Sequence, residues 1–153
     1  YDANMDLLGD PPALNLNDEE WKIYCRHLNF PPQYLAPGAV VKNSCVTEGC
    51  AIYGRVENSV LFSGVTVEAG AIVRDSVLFP GAHVGKGAVV DRVMLAQNTV
   101  IDANAIVGSD ETPTVVIPQN KLCSGGITLV AENVRIGSGA VIGRNVVVSE
   151  SIT

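Results

Sequence analysis

A serine or cysteine nucleophile needs a histidine and an orienting acid at one shared site. The chain holds two histidines, His27 and His83. His27 lies in a proline-rich connector and His83 in a regular repeat, so neither marks such a site. The four cysteines, Cys25, Cys45, Cys50 and Cys123, include no CxxC pair and fit no common zinc spacing, which leaves free thiols as the expectation. Asp75, Asp91 and Asp102 fall where the chain is expected to turn, which suits corner residues better than a carboxylate pair for acid-base work. Glycines come mostly singly, with no GxGxxG before a helix and no GxxxxGKS/T, so no phosphate-cradling loop is present. This inventory contains no catalytic residue, no cofactor-binding residue and no metal ligand.

The bulk of the sequence points to scaffold instead. It has 153 residues, 47% hydrophobic but only 5% aromatic, with 15 glycines. Such a composition predicts a β-rich core of small branched side chains, in one domain or one elongated repeat with an appendage. A net charge of -6 argues against a nucleic-acid surface or attraction to anionic membranes. No apolar run is long enough to span a membrane and no leader opens the chain, so a cytoplasmic location is expected. The start at Tyr1, without Met, suggests a piece of a longer protein.

The elements that must carry any function are repeats. Residues 58–74 (NSVLFSGVTVEAGAIVR), 75–91 (DSVLFPGAHVGKGAVVD) and 92–108 (RVMLAQNTVIDANAIVG) stack without a gap. Val67, Val84 and Ile101 share one column, Val73, Val90 and Val107 a second, and Leu61, Leu78 and Leu95 a third. The aliphatic steps are six, six and five residues, and they run back through Val56, Ile52, Val46 and Val41. Small residues sit two positions before most rungs: Ala71, Ala88 and Ala105, and Ser44, Ser59 and Ser76. This hexad pattern predicts an all-β fold, a parallel β-helix whose narrow interior holds one aliphatic side chain per hexad. About four coils are expected between Ala39 and Gly108. Residues 109–129 interrupt the pattern with a polar exit, an extended TVVIP run and a CSGG turn. Hexads resume with Val130, Ile136, Ile142 and Val148, and VSESI at 148–152 repeats the short step.

Residues just before the rungs face outward. Ile72, Val89 and Ile106 form one apolar stripe, and Val60, Val77 and Met94 another, so each is a candidate interface with a subunit or a further domain. Residues 1–36 differ from the rest. DANMDLLG reads as the end of a helix, with Asp2 or Asn4 to cap it and Gly9 to stop it. WKIYCR (21–26) reads as a short strand, and NFPPQYLAPG as a stiff connector into the first coil. Trp21, Tyr24 and Phe30 are expected to dock this segment by packing. The division is therefore 1–36 as the end of a preceding domain plus linker, and 37–153 as the β-helix, with 109–129 as an excursion.

YDANMDLL, DEEW (18–21) with IY, PPQYLAPGA, EGC and SVLF followed by x-G-V resemble, in that order, the C-terminal region of bacterial glucose-1-phosphate adenylyltransferase, over residues 1 to about 108. The resemblance implies a left-handed β-helix. It also implies a preceding nucleotidyltransferase domain that makes ADP-glucose and pyrophosphate from ATP and glucose 1-phosphate with Mg²⁺, for glycogen biosynthesis. The motifs for ATP binding and catalysis lie outside this chain, which alone should be inactive. Its implied partners are its own N-terminal catalytic domain, further copies in a tetramer or a paralogous subunit, and a sugar-phosphate effector. Cations available for an effector are Lys42, Arg55, Arg74, Lys86 and Arg92; Gln97 stands near where some members carry an arginine. The alternative is a freestanding hexapeptide-repeat acyltransferase with His83 as general base, which would sit outward beside Thr66 and Val100.

Overall fold

A computed structural model of the chain describes residues 1–16, 18–22, 29–110, 113–115, 117–118, 123 and 125–153. It is a parallel β-helix of six turns, with three six-stranded sheets as its sides. The first sheet stacks Tyr34–Leu35, Ala51–Ile52, Thr66–Val67, His83–Val84, Val100–Ile101 and Arg135–Ile136. The second stacks Val40–Lys42, Arg55–Glu57, Ile72–Arg74, Val89–Asp91, Ile106–Ser109 and Val141–Gly143. The third stacks Cys45–Val46, Val60–Leu61, Val77–Leu78, Val93–Leu95, Thr128–Val130 and Val147–Val148.

The columns expected from the hexads are the interior. Val67, Val73, Leu78, Val84, Val90, Leu95, Ile101 and Val107 are all fully buried and belong to one continuous cluster. Burying each such side chain contributes roughly 1.5–3 kcal/mol, which gives the ladder its hold on the register. Val130, Ile136, Ile142 and Val148 continue the cluster beyond the excursion.

Corners explain the uneven steps. Between the second and third sheets the chain turns in five residues, and Asn43, Asn58, Asp75 and Arg92 take the left-handed conformation there, with φ between 40° and 58°. Asn43 Nδ2 donates to Asn58 Oδ1 at 3.0 Å, and Asn58 Nδ2 donates in turn to Asp75 Oδ1. The serine that follows does more than fit. Ser76 Oγ donates to the Arg74 carbonyl at 2.6 Å and accepts the Val93 N–H at 3.1 Å. Ser59 does the same for the Glu57 carbonyl and the Ser76 N–H, and Ser44 for the Lys42 carbonyl and the Ser59 N–H. This relay satisfies backbone groups that a five-residue step would otherwise bury unpaired. One corner is shorter still. From Ile52 to Val56 the chain turns in four residues at Gly54, where a Cβ would collide with the Ala71 and Glu68 carbonyl oxygens.

The structure also shifts several boundaries. Tyr34–Leu35 already pairs with Ala51–Ile52, so the first strand precedes position 37. The strand before the excursion runs through Ser109 and the next begins at Thr128. Ile152 bridges Ile136, which makes 148–152 a corner between the third and first sheets, not a copy of the five-residue corner. The N-terminal residues form a helix at Asp2–Met5 and a 3₁₀ turn at Asp6–Leu8. No side chain caps the helix, and Gly9 leaves the turn with an extended backbone. Trp21 and Lys22 are not in a strand, and the rest of the expected strand at 21–26 lies outside the described residues.

Gly54→Ala should lower the unfolding free energy by about 1–3 kcal/mol, since a backbone must shift to admit the methyl. Urea denaturation of the two proteins measures it; an unchanged midpoint would mean that this corner is not packed as described.

Candidate functional site

The fixed register stacks every third strand on one face. On the second sheet Ile72, Val89 and Ile106 occupy one outward column, each directly over the next. All three are only half-buried and floor an open groove of about 490 Å³. Its rim is charged: Arg74, Asp91, Asp110 and Arg144. A second hollow of about 440 Å³ shares Ser109, Asp110 and Arg144 and is bounded by Pro113, Val115 and Ile117 from the excursion.

That rim is a ladder of alternating sign. Lys42, Glu57, Arg74 and Asp91 hold equivalent places in successive coils. Lys42 and Arg55 both converge on Glu57, at 3.7 and 2.7 Å. The Arg55 hydrogen bond holds the Glu57 carboxyl below its ordinary pKa. Arg74 Nε lies 3.0 Å from Asp91 Oδ2. Arg144, just beyond the last strand of this sheet, joins the rim: Nε donates to the Gly108 carbonyl at 3.0 Å and approaches Asp110 at 3.1 Å, while Nη2 reaches Asp91 at 3.5 Å. It therefore clamps the exit of the excursion onto the helix.

The second expected stripe differs. Val60 and Val77 face outward from the third sheet and lie outside the interior cluster, yet they are 2% and 0% exposed, and Met94 is half-buried. They are shielded within this chain. The Tyr1 hydroxyl donates to the Asp75 carbonyl at 2.6 Å, and its ring lies under the Arg92 guanidinium at 5.8 Å. Burial is the main cause that pushes the Tyr1 phenol above its ordinary pKa. Arg92 Nε also donates to the Gly125 carbonyl, at 2.6 Å, so one side chain ties the N-terminus to the return of the excursion.

Among the other candidates, His83 pairs with Glu68 at 3.2 Å on the first sheet, beside Thr66 and Val100 as its hexad position requires. Lys86 is exposed on a separate turn. Phe30 packs over Gly49 and Gly64, whereas Trp21 is 70% exposed. Tyr24, Cys25 and His27 lie outside the described residues. Cys45, Cys50 and Cys123 are free thiols, and burial pushes all three up in pKa. Among the described residues no three His, Cys, Asp or Glu side chains meet to hold a metal ion. No helix among them is long and apolar enough to cross a membrane. The sequence reading missed Arg144, Asp110 and Tyr1. The charge alternation of VVK, RVE, IVR and VVD gave no signal for Arg144, because IVG at 106–108 and VIG at 141–143 put glycine at the equivalent place.

The GlmU-like, C-terminal hexapeptide family matches residues 36–130, which cover all but the first strand and the last turn of this β-helix. The chain belongs to that family. Its hexapeptide coils are also similar to glucose-1-phosphate adenylyltransferases of Bacillus thuringiensis (strain Al Hakam), Bacillus anthracis and Bacillus mycoides (strain KBAB4). Each is 47% identical over 135 residues, which is 86% of this chain. The chain spans about a third of the length of these relatives, 32%, and corresponds to their C-terminal part.

Arg144→Ala should cost about 1.5–3 kcal/mol of stability, because it strips charge-assisted bonds from a side chain that is only 30% exposed. Arg135→Ala, which removes an arginine 62% exposed from its pair with Asp102, should cost clearly less, because solvent screens that pair. Thermal unfolding of both variants checks the contrast; equal losses would contradict the clamp.

Proposed function

We propose that this chain is the oligomerisation and allosteric-regulatory β-helix of a glucose-1-phosphate adenylyltransferase. The observation that carries this reading is the 47% identity over 86% of the chain to proteins of that name. In this reading a preceding nucleotidyltransferase domain transfers the adenylyl group of ATP to glucose 1-phosphate, for glycogen biosynthesis. Mg²⁺ serves that domain; the described residues here offer no site that fits it, and no step is assigned to them.

The β-helix supplies faces instead of chemistry. Ile72, Val89 and Ile106 are the open apolar face for a neighbouring domain or subunit, in a tetramer of one chain or with a paralogous subunit. The face of Val60, Val77 and Met94 receives the segment that joins the two domains, with Tyr1 and Arg92 as its fastening. A sugar-phosphate effector would bind at the domain boundary, since Lys42, Arg55, Arg74 and Arg92 already have acceptors on the corners.

Pyrophosphate release from ATP, glucose 1-phosphate and Mg²⁺ tests this reading. The full-length protein should turn over and the 153-residue chain should not. Acetyl transfer from acetyl-coenzyme A by this chain, lost in His83→Ala, would establish the acyltransferase alternative in its place.

A further inference from the structure

We propose that the groove of the second sheet receives the same face of a second copy of this chain, across a two-fold axis that runs along the strands at the level of Val89. The proposal rests on the oligomerisation part of the reading above and gives it a surface and a symmetry.

The argument begins with which faces are open. The third sheet is shielded at its centre, where Val60 and Val77 are 2% and 0% exposed. The first sheet presents Thr66, His83 and Arg135 among its outward residues. The second sheet combines an unshielded aliphatic column with a charged edge.

A two-fold axis along the strands reverses the coil order of the partner and keeps both charged edges on the same side. Placed at Val89, it sets Val89 against the partner's Val89 and Ile72 against the partner's Ile106. Coils repeat at about 4.8 Å, so a match in one coil enforces it in the next. The same operation brings Arg74, with a side chain 50% exposed, to the partner's Asp110, 80% exposed. It also brings Glu57 to the partner's Arg144. Asp91 meets its own copy, but it is the least exposed of the set at 16% and is already held between Arg74 and Arg144.

Neighbouring levels fail. Half a coil toward Ile106, the axis opposes Arg74 to the partner's Arg144. Half a coil toward Ile72, it opposes Glu57 to the partner's Asp110. Like charges disfavour both. An isologous contact of this kind closes on itself and yields a pair, not a filament.

Sedimentation equilibrium of this chain over a concentration series is the test. A dimer is expected, with its dissociation constant raised at least about 30-fold by Val89→Asp, as for a central apolar anchor. His83→Ala, on another face, should leave it unchanged. Arg74→Glu and Asp110→Arg should each weaken the dimer up to about 5-fold, and the double exchange should restore it. Circular dichroism and a thermal melt confirm the fold of each variant. A chain monomeric throughout, a dimer indifferent to Val89→Asp, or a double exchange without recovery would each overturn the proposal. A full-length tetramer that survives Val89→Asp and still forms ADP-glucose would overturn it while leaving the proposed function intact. A full-length protein without adenylyl transfer would do the reverse, if the dimer behaves as expected.

Discussion

Each coil must set its three interior aliphatic side chains directly on those of the coil before it. The interior is too narrow for alternatives, and a slip of one residue would turn every interior side chain outward. Register is therefore not negotiable, and the other features follow from it. Corner residues must deliver each rung on time, which is why Asn43, Asn58 and Asp75 adopt left-handed backbone and why Ser44, Ser59 and Ser76 bridge consecutive coils. Outward residues fall into columns for the same reason. The apolar floor of Ile72, Val89 and Ile106 and the charged rim beside it are by-products of the stacking inside.

The constraint tolerates interruption if the chain returns in register. Thr128–Val130 lies squarely on Val93–Leu95 after the excursion. Closing a longer loop adds only slowly to its entropic cost, so the stack survives. The excursion then acquires uses. Thr114 bonds to Val141, covering the edge of the last strand of the second sheet, and Val115 and Ile117 pack on the core. Arg92 shows how local strain is offset. It sits at a corner with φ 58°, where the coils before it carry Asn or Asp, at a cost of about 1–3 kcal/mol. Its bond to Gly125 and its contact with the Tyr1 ring oppose that cost.

What could be read from the sequence tracks this division. The rungs from Val41 to Val148 were legible because an interior position accepts little besides an aliphatic residue. The place of His83 and the structural use of the corner glycines followed from the same spacing. The burial of Val60 and Val77 was not legible, because they share with the half-buried Ile72 and Val89 the place just before a rung, and no periodicity separates the two columns. The role of Arg144 depends on the path of the excursion, whose exit it clamps. Ser76 was recognised as small, but its two hydrogen bonds require knowing that Arg74 and Val93 flank it in adjacent coils. The family relationship was carried by short words in order, such as PPQYLAPGA and SVLF, and not by any residue that does chemistry.

The central claim is that one uninterrupted stack, running past the excursion, positions the groove. Amide hydrogen exchange followed by NMR tests it most directly at the junction. The N–H groups of Ala96, Val100, Asp102 and Ile106 donate to the carbonyls of Val130, Val134, Ile136 and Ala140, which all lie beyond the excursion. The account predicts that these four amides are protected as strongly as those of Val60, Thr66 and Ile72 in the coils before. Rapid exchange at the four, with the earlier coils still protected, would show that the stack ends at residue 108 and would contradict it.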